Sequence, residues 1–279
     1  MLIAKITVLR RQVKQWRQAG ESIAFVPTMG NLHAGHLQLV KAAKAQADHV
    51  IVSIFVNPTQ FGQGEDFASY PKTLDVDTEQ LAALSVDIVF TPSVEEMYPN
   101  VGLTTVSVEK ITENYCGMAR PGHFDGVATV VNKLFNIVQP DSAFFGEKDF
   151  QQLAVIRTMV ADLNSPVEIF SVPTFREESG LAMSSRNGYL GETEKNLAAE
   201  LYQSLCAAQQ AVLAKQPAYA EIEAAQTQKL MHLGFCVEYF TVCRRGDLQS
   251  AGMNDKHIII LVAARLGKTR LIDNIQIDL

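Results

Sequence analysis

Apolar positions in the first part of the chain follow two alternating rhythms. Apolar-rich runs at residues 23–26, 51–56, 86–90, 142–145 and 167–172 predict strands, and 51–56 reads as one buried on both faces. Between them, at residues 37–47, 75–84, 126–138 and 149–163, apolar positions return at helical spacing. The spacing assigns 126–138 to helix despite its β-branched content. Asp149 stands at the N-cap position of the last helix. Residues 1–20 predict a short strand and an amphipathic, basic helix, and the alternating 104–108 predicts one more strand. Such alternation implies an α/β fold, a Rossmann-like doubly wound parallel sheet whose ligands gather at the carboxyl ends of its strands.

Pro173 marks a change of pattern. Residues 192–215 and 219–233 are helical in spacing and rich in Ala and Gln, and strand-like runs follow at 236–242, 257–263 and 270–274. Helices followed by consecutive strands predict a smaller C-terminal α+β domain. The boundary falls within 172–177, dividing the chain into residues 1–173 and 174–279. There is no internal repeat and no low-complexity tract.

The 279 residues suffice for one large or two modest domains, and a hydrophobic content of 47% is that of an ordinary globular core. A net charge of −6 and a pI near 5.5 argue against a broad nucleic-acid surface, leaving room for local basic sites. No run of about 18 apolar residues predicts a membrane span, and the N-terminus lacks the apolar stretch of a signal peptide. Cys116, Cys206, Cys236 and Cys243 form no close pair, as expected of reduced thiols in a cytoplasmic protein.

The densest candidate chemistry lies where the first long strand meets a helix, in Phe25-Val-Pro-Thr-Met-Gly-Asn-Leu-His-Ala-Gly-His36. A helix start offers unpaired N–H groups and the positive end of the dipole, a natural seat for phosphate. Gly30 and Gly35 permit a tight turn and close approach to a ligand. His33 and His36, three apart, share one helical face. The pair also fits two ligands of a metal site, although no nearby Cys or Glu pair supplies the rest.

Further polar segments follow predicted strands and so face the same end of the sheet. In Asn57-Pro-Thr-Gln60-Phe-Gly, neutral amides suit hydroxyls and a carboxylate, or the segment is an Asx-Pro turn. Arg120-Pro-Gly-His123 is an anion site at a helix entrance or a solvated surface loop. In Gly146-Glu147-Lys148-Asp149-Phe-Gln-Gln152, Lys148 offers a mobile point charge to phosphate. Asp149 caps the helix, helps to hold Mg²⁺, or both, and Gln152 points back toward the same ligand as Gln60. Met183-Ser184-Ser185-Arg186 is a compact phosphate clamp, or an ordinary cap or turn.

Taken together, His-x-Gly-His after a strand and a later Met-Ser-Ser-Arg loop resemble the nucleotidyltransferase superfamily that includes class I aminoacyl-tRNA synthetases. Arg186 would supply the last charge of a variant Lys-Met-Ser-Lys-Ser loop. More narrowly the chain resembles the pantoate–β-alanine ligases (pantothenate synthetases) over nearly its whole length. The match runs from residues 27–36 and 55–61 through 70–73, 120–124 and 145–152 to 184–190 and 271–274.

The resemblance implies ATP-dependent condensation of pantoate with β-alanine through a pantoyl adenylate, with Mg²⁺, in a cytoplasmic homodimer. It assigns residues 1–173 to the nucleotide-binding catalytic domain and 174–279 to a lid. It places Met29, Gly30, Asn31, Leu32, His33, Ala34, Gly35 and His36 at ATP. Gly146, Glu147, Lys148, Asp149, Phe175, Met183, Ser184, Ser185 and Arg186 join them there. His33, His36, Lys148 and Arg186 carry the catalysis, with His36 as the usual candidate proton donor. Gln60, Gln152 and Arg120 bind pantoate, and Gln60 also serves β-alanine. Asp75, Asp77 and Asp149 are candidate Mg²⁺ ligands. One departure concerns Cys116, four residues before Arg120, where the family often has an acidic residue; Cys116 is given no role. The competing functions are a nucleotidyltransferase with a phosphorylated substrate, which the Gln60–Gln152 pair disfavours, and a non-catalytic nucleotide sensor.

Overall fold

Phe25 pairs with Ile51 on one side and Ala143 on the other, and all three are fully buried. A strand with no solvent face must be covered twice, and this requirement sets the layers of the molecule. The computed structural model describes residues 1–62, 64–214 and 218–279. The chain runs β1 (Leu2–Ile3), α1 (Ile6–Ala19), β2 (Ile23–Thr28), α2 (Ala34–Lys44), β3 (His49–Ile54), α3 (Leu74–Ala83) and β4 (Ile88–Phe90). Short α4 (Val94–Met97) and α5 (Cys116–Ala119) precede α6 (His123–Val138), β5 (Ser142–Gly146), α7 (Phe150–Asp162) and β6 (Glu168–Val172). Among the described residues these strands form a six-stranded parallel sheet in the order β1-β4-β3-β2-β5-β6. Strand order reverses between β2 and β5, where a doubly wound sheet opens a crevice.

Alternation along β2 feeds both faces. Ala24 and Val26 pack with Leu39, Val40 and Ala43 of α2 and Leu81 of α3. Ile23 and Phe25 pack with Leu9 and Val13 of α1, Val131 and Leu134 of α6, and Leu153 and Ile156 of α7.

After β6 come α8 (Glu192–Ala198), α9 (Glu200–Leu213), α10 (Tyr219–His232), β7 (Cys236–Arg244), β8 (His257–Leu266) and β9 (Thr269–Asp278). The last three pair antiparallel in the order β7-β8-β9, a small second sheet. One face, with Ile258, Ile260 and Val262, packs on Leu205, Val212, Ile222 and Leu230 of α9 and α10. The other face sends Ile259, Leu261 and Cys243 into the core of the first sheet.

Several expectations change in detail. The 104–108 run pairs with no strand among the described residues; Val106 instead donates its N–H to Thr129 Oγ1 at 2.9 Å, and nearby Leu103 is 99% exposed. The 192–215 helix breaks at Ala199 into α8 and α9, and its last position, Lys215, lies outside the described residues. β9 runs well past the predicted 270–274 because Asp273, Asn274 and Gln276 interrupt its apolar pattern while its ladder continues to Asp278. No described helix is long and apolar enough to cross a membrane.

Because Ile259 belongs to both the second sheet and the first core, the two sheets are expected to unfold together. Ile259→Ala should cost about 2–5 kcal/mol. Urea unfolding followed by Trp16 fluorescence, which reports the first sheet's layer, and by circular dichroism should show one shared transition shifted to lower urea.

Candidate active site

The turn out of β2 is built to present a helix end. Thr28 Oγ1 donates to Ser53 O at 2.7 Å and accepts from Gly30 N at 3.2 Å. Gly30 has φ +84°, and a Cβ there would stand 3.1 Å from Asp77 Oδ2, so the turn needs glycine. Asp77 is buried and accepts from the N–H of Asn31 at 2.9 Å and of Leu32 at 2.8 Å. His33 follows as the N-cap of α2 in extended conformation, and its N–H reaches His36 Nδ1 at 3.4 Å. The two rings lie 4.0 Å apart at 35°.

Burial and the neighbouring Lys148 lower the His33 pKa to about 4, and burial and His33 lower that of His36 to about 3. Both imidazoles are therefore neutral near pH 7. With Nδ1 of His36 accepting, the hydrogen-bond network assigns the proton to Nε2, leaving that N–H as a donor. His33 Nδ1 is buried without a hydrogen-bond partner among the described residues.

The mouth of β2 (Pro27, Thr28), the end of β5 (Phe145, Gly146) and Pro173–Phe175 enclose a cavity of about 240 Å³ at the strand-order reversal. It continues past Arg120, Lys148, Gln152 and Arg186 into a second cavity of about 820 Å³ between the two sheets. Lys148 and Asp149 enter on a 3-10 turn, Glu147–Asp149, with Lys148 Nζ 3.8 Å from Asp149 Oδ1. Burial pushes the Asp149 carboxyl up, but Lys148 and Arg186 outweigh it and the net shift is downward. Asp149 precedes α7 yet makes no side-chain cap hydrogen bond, so the capping role expected of it is not taken.

Gln60 is positioned by Asn57. Buried Asn57 donates to Gln60 Oε1 and to Gly126 O, both at 3.1 Å, and accepts from Tyr98 OH at 2.9 Å. This fixes the amide so that Gln60 Nε2 points past Met29 Sδ, 3.3 Å away, into the cavity. Asn57 thus forms the turn and Gln60 faces the cavity. Gly126 permits the contact, since a Cβ on α6 would stand 2.4 Å from Thr59 O.

Arg120 is held by a carboxylate, though not one on its own segment. Its Nε and Nη2 reach Glu65 at 2.6 and 2.7 Å, and its Nη1 lies 2.8 Å from His123 Nε2. Hydrogen bonds from Arg120 hold Glu65 down at about 2 against burial. Glu65, from the loop after β3, is thus the carboxylate that orients Arg120. Cys116 instead donates its N–H to Gln151 Oε1 at 3.0 Å and sets its Sγ 3.0 Å from Tyr239 OH. Ser184 accepts from Arg186 N at 3.2 Å, and the Arg186 guanidinium pairs with Asp66 at 3.0 Å.

The cavity gathers Met29, His33, Gly35, His36, Gln60, Arg120, Gly146, Lys148, Asp149, Gln152, Phe175, Met183, Ser184, Ser185 and Arg186. Gly30, Asn31, Leu32 and Ala34 form the bend behind it rather than its wall, and the Leu32 side chain lies in the core. The Glu147 side chain turns away, accepting from Ser171 Oγ and Gln276 Nε2, both at 2.9 Å. Two of the three Mg²⁺ candidates are corrected. Asp77 spends both oxygens on the Asn31–Leu32 backbone, and Asp75 is exposed on α3 away from the cavity. Among the described residues no group of three His, Cys, Asp or Glu is arranged for a metal ion. Asp149 remains the carboxylate among the described residues lining the smaller cavity.

Sequence reasoning named His123 only within the Arg120 segment and gave it no role of its own; its buried ring spans Arg120 and the carbonyl of Gln60 at 2.8 Å. It also missed the buried Tyr70 on the cavity wall and the loop carboxylates Glu65 and Asp66. The spacing of His123 from Arg120 at a helix entrance was the available signal; for the loop residues only the folded chain shows the partner.

A family model described as pantoate-beta-alanine ligase matches residues 1–276. The chain is 53% identical to the pantothenate synthetase of Alteromonas mediterranea over 279 residues, covering 99% of each. It is 52% identical to that of Pseudomonas fluorescens, again covering 99% of each. Among solved structures it is similar to pantothenate synthetase from Thermus thermophilus, with TM-score 0.92, 43% identity and 98% of each chain covered. It is also similar to pantoate-beta-alanine ligase from Francisella tularensis complexed with beta-gamma ATP and beta-alanine. There the TM-score is 0.81 and the identity 36%, with 99% of this chain and 97% of that chain covered.

Acid should weaken the fold through the two adjoining histidines. Their folded values of about 4 and 3 lie below the ordinary 6.5, so the stability they contribute is complete above 6.5. As pH falls from 6.5 toward 4, the unfolded chain binds protons that the folded chain refuses, and stability declines. The urea midpoint should therefore drop between pH 7 and pH 5, and His36→Asn should flatten that dependence.

Proposed function

This chain belongs to the pantoate-beta-alanine ligase family, and from that premise we propose how its cleft works. The protein condenses pantoate with β-alanine, converting ATP to AMP and pyrophosphate and releasing pantothenate. The observation that carries the assignment of residues is the convergence of Gln60, Gln152, His33, His36 and Lys148 on one cavity where the strand order reverses.

In the first step a pantoate carboxylate oxygen attacks the α-phosphorus of ATP, and the bond to the pyrophosphate oxygen breaks. A carboxylate is already ionised at pH 7, so no base is needed, only in-line placement and charge on the phosphates. Met29 to His36 bring a helix N-terminus to the phosphates, and the Nε2–H of neutral His36 donates a hydrogen bond rather than a proton. His33 stands beside it. Lys148 neutralises phosphate charge as it builds toward the leaving pyrophosphate, and Ser184, Ser185 and Arg186 close from the other wall. Gly146 and the Phe175 backbone complete the nucleotide seat. Gln60 Nε2 and Gln152 hold the hydroxyls and carboxylate of pantoate, with Arg120 at the anionic end once Glu65 yields it.

In the second step the neutral amine of β-alanine attacks the acyl carbon of pantoyl adenylate. The amide bond forms, AMP leaves with the bonding pair, and the proton shed by the amine passes to solvent. Gln60 serves this substrate too, because the amine of β-alanine must reach the acyl carbon of the pantoyl group held there.

Mg²⁺ fits as an ion carried in on the nucleotide. The phosphates supply oxygens and Asp149, held ionised at the cavity wall, is the protein carboxylate in reach. Bound there, the ion would offset phosphate charge. We read the assembly as a homodimer in the cytoplasm. Val101 and Leu103, 90% and 99% exposed on an extended segment, are the apolar surface for a second copy, and the unpaired cysteines suit a reducing compartment.

With pantoate, β-alanine and ATP supplied, AMP should accumulate only when both acids are present; AMP without β-alanine would overturn the two-step reading. His36→Ala and Lys148→Ala should each lower turnover about 10²-fold or more, and Gln152→Ala should chiefly raise the KM for pantoate. Size-exclusion chromatography should give a dimer that Leu103→Asp shifts toward monomer.

A further inference from the structure

Lys148 is aimed from outside its own domain. The small sheet reaches the backbone of the turn that carries it through one side chain on β9. Buried Asn274 donates from Nδ2 to Glu147 O at 2.8 Å and to Lys148 O at 3.0 Å. One amide nitrogen has two hydrogens, and here each takes a successive carbonyl of the 3-10 turn. Two consecutive carbonyls held by one fork leave the turn little freedom to rotate.

The fork is itself fixed. The Asn274 N–H donates to Asp273 Oδ1 at 2.8 Å, and its backbone sits in the β8–β9 ladder opposite Leu261. Side chains alternate along a strand, so Asp273 faces the other way and grips Arg176, which donates to it at 2.6 and 2.9 Å. Arg176 stacks over the Tyr202 ring at 3.6 Å and directly follows Phe175, which lines the nucleotide cavity. Gln276, two residues along and on the same face as Asn274, ties the Glu147 side chain at 2.9 Å. One short stretch of β9 therefore touches both walls of the cleft.

We propose that Asn274 is a positioning residue for catalysis: its amide, locked on β9, orients the Lys148 turn, so that the lysine is correctly aimed only while the small domain is docked. This rests on the phosphate role given to Lys148 above.

The test is a cycle of Lys148→Ala, Asn274→Leu and the double variant, read as kcat, KM for ATP and thermal midpoint. Asn274→Leu keeps the volume and removes both donors. Its expected effect is a fall in kcat of about 10-fold or more, the scale of a misplacement near 1 Å, with the midpoint little changed. Because Asn274 acts through Lys148, the double variant should be no slower than Lys148→Ala alone. Multiplying losses would overturn the proposal while leaving the role of Lys148 intact. Normal turnover of Lys148→Ala alone would instead overturn that role. If Asn274→Leu does not fold, Asn274→Ala is read in the same way; failure of both would make the side chain a stabiliser of the domain contact and end the proposal.

Discussion

A carboxylate from one helix holds the backbone amides that open another. Asp77, on α3, accepts from Asn31 and Leu32, and these two N–H groups would otherwise lie buried and unpaired beside the core. An orphaned buried N–H costs about 1–3 kcal/mol, so the loop has one economical path out of β2. That path carries His33 to the cap of α2 and sets His36 one turn further on. The direction of the helix end, the spacing of the two rings and the position of the cavity wall all follow from it.

Neutrality is the second theme of the cleft. Two imidazoles 4.0 Å apart, half enclosed and beside a lysine, give up their protons more readily than they share a charge. Neutral, they leave the formal positive charge at this cavity to Lys148, Arg120 and Arg186. The glutamines add neutral groups to the same wall. Gln60 is orientated by Asn57, and the orientation survives because Gly126 lets α6 come close enough to accept Asn57 at its carbonyl.

The parallel sheet was legible from sequence because its central strands, β2 and β3, are almost wholly buried and read as nearly unbroken apolar runs. The motifs at 27–36, 57–62 and 146–152 were legible because each leads out of a strand, which puts it at one end of the sheet. What stayed hidden is the work done between distant segments. Asp77 looked like a metal ligand because an acidic residue at a helix start carries no mark of the amides it will meet. The 104–108 alternation looked like a strand, but an edge needs a neighbour and the segment found a threonine hydroxyl instead. β9 was cut short on paper because Asp273, Asn274 and Gln276 read as the end of a strand; in the fold they are its most connected part.

Among the described residues, the cations lining the smaller cavity are each already matched: Arg120 with Glu65, Arg186 with Asp66, Lys148 with Asp149. Such a mouth casts little field into solvent, and the chain as a whole carries −6. Nucleotide and acid are therefore not drawn in from a distance, and the speed of their capture should owe little to ionic strength. Selection would then fall on contact: an arriving anion would have to take the place of a resident carboxylate, and a ligand unable to complete that exchange would leave as easily as it came.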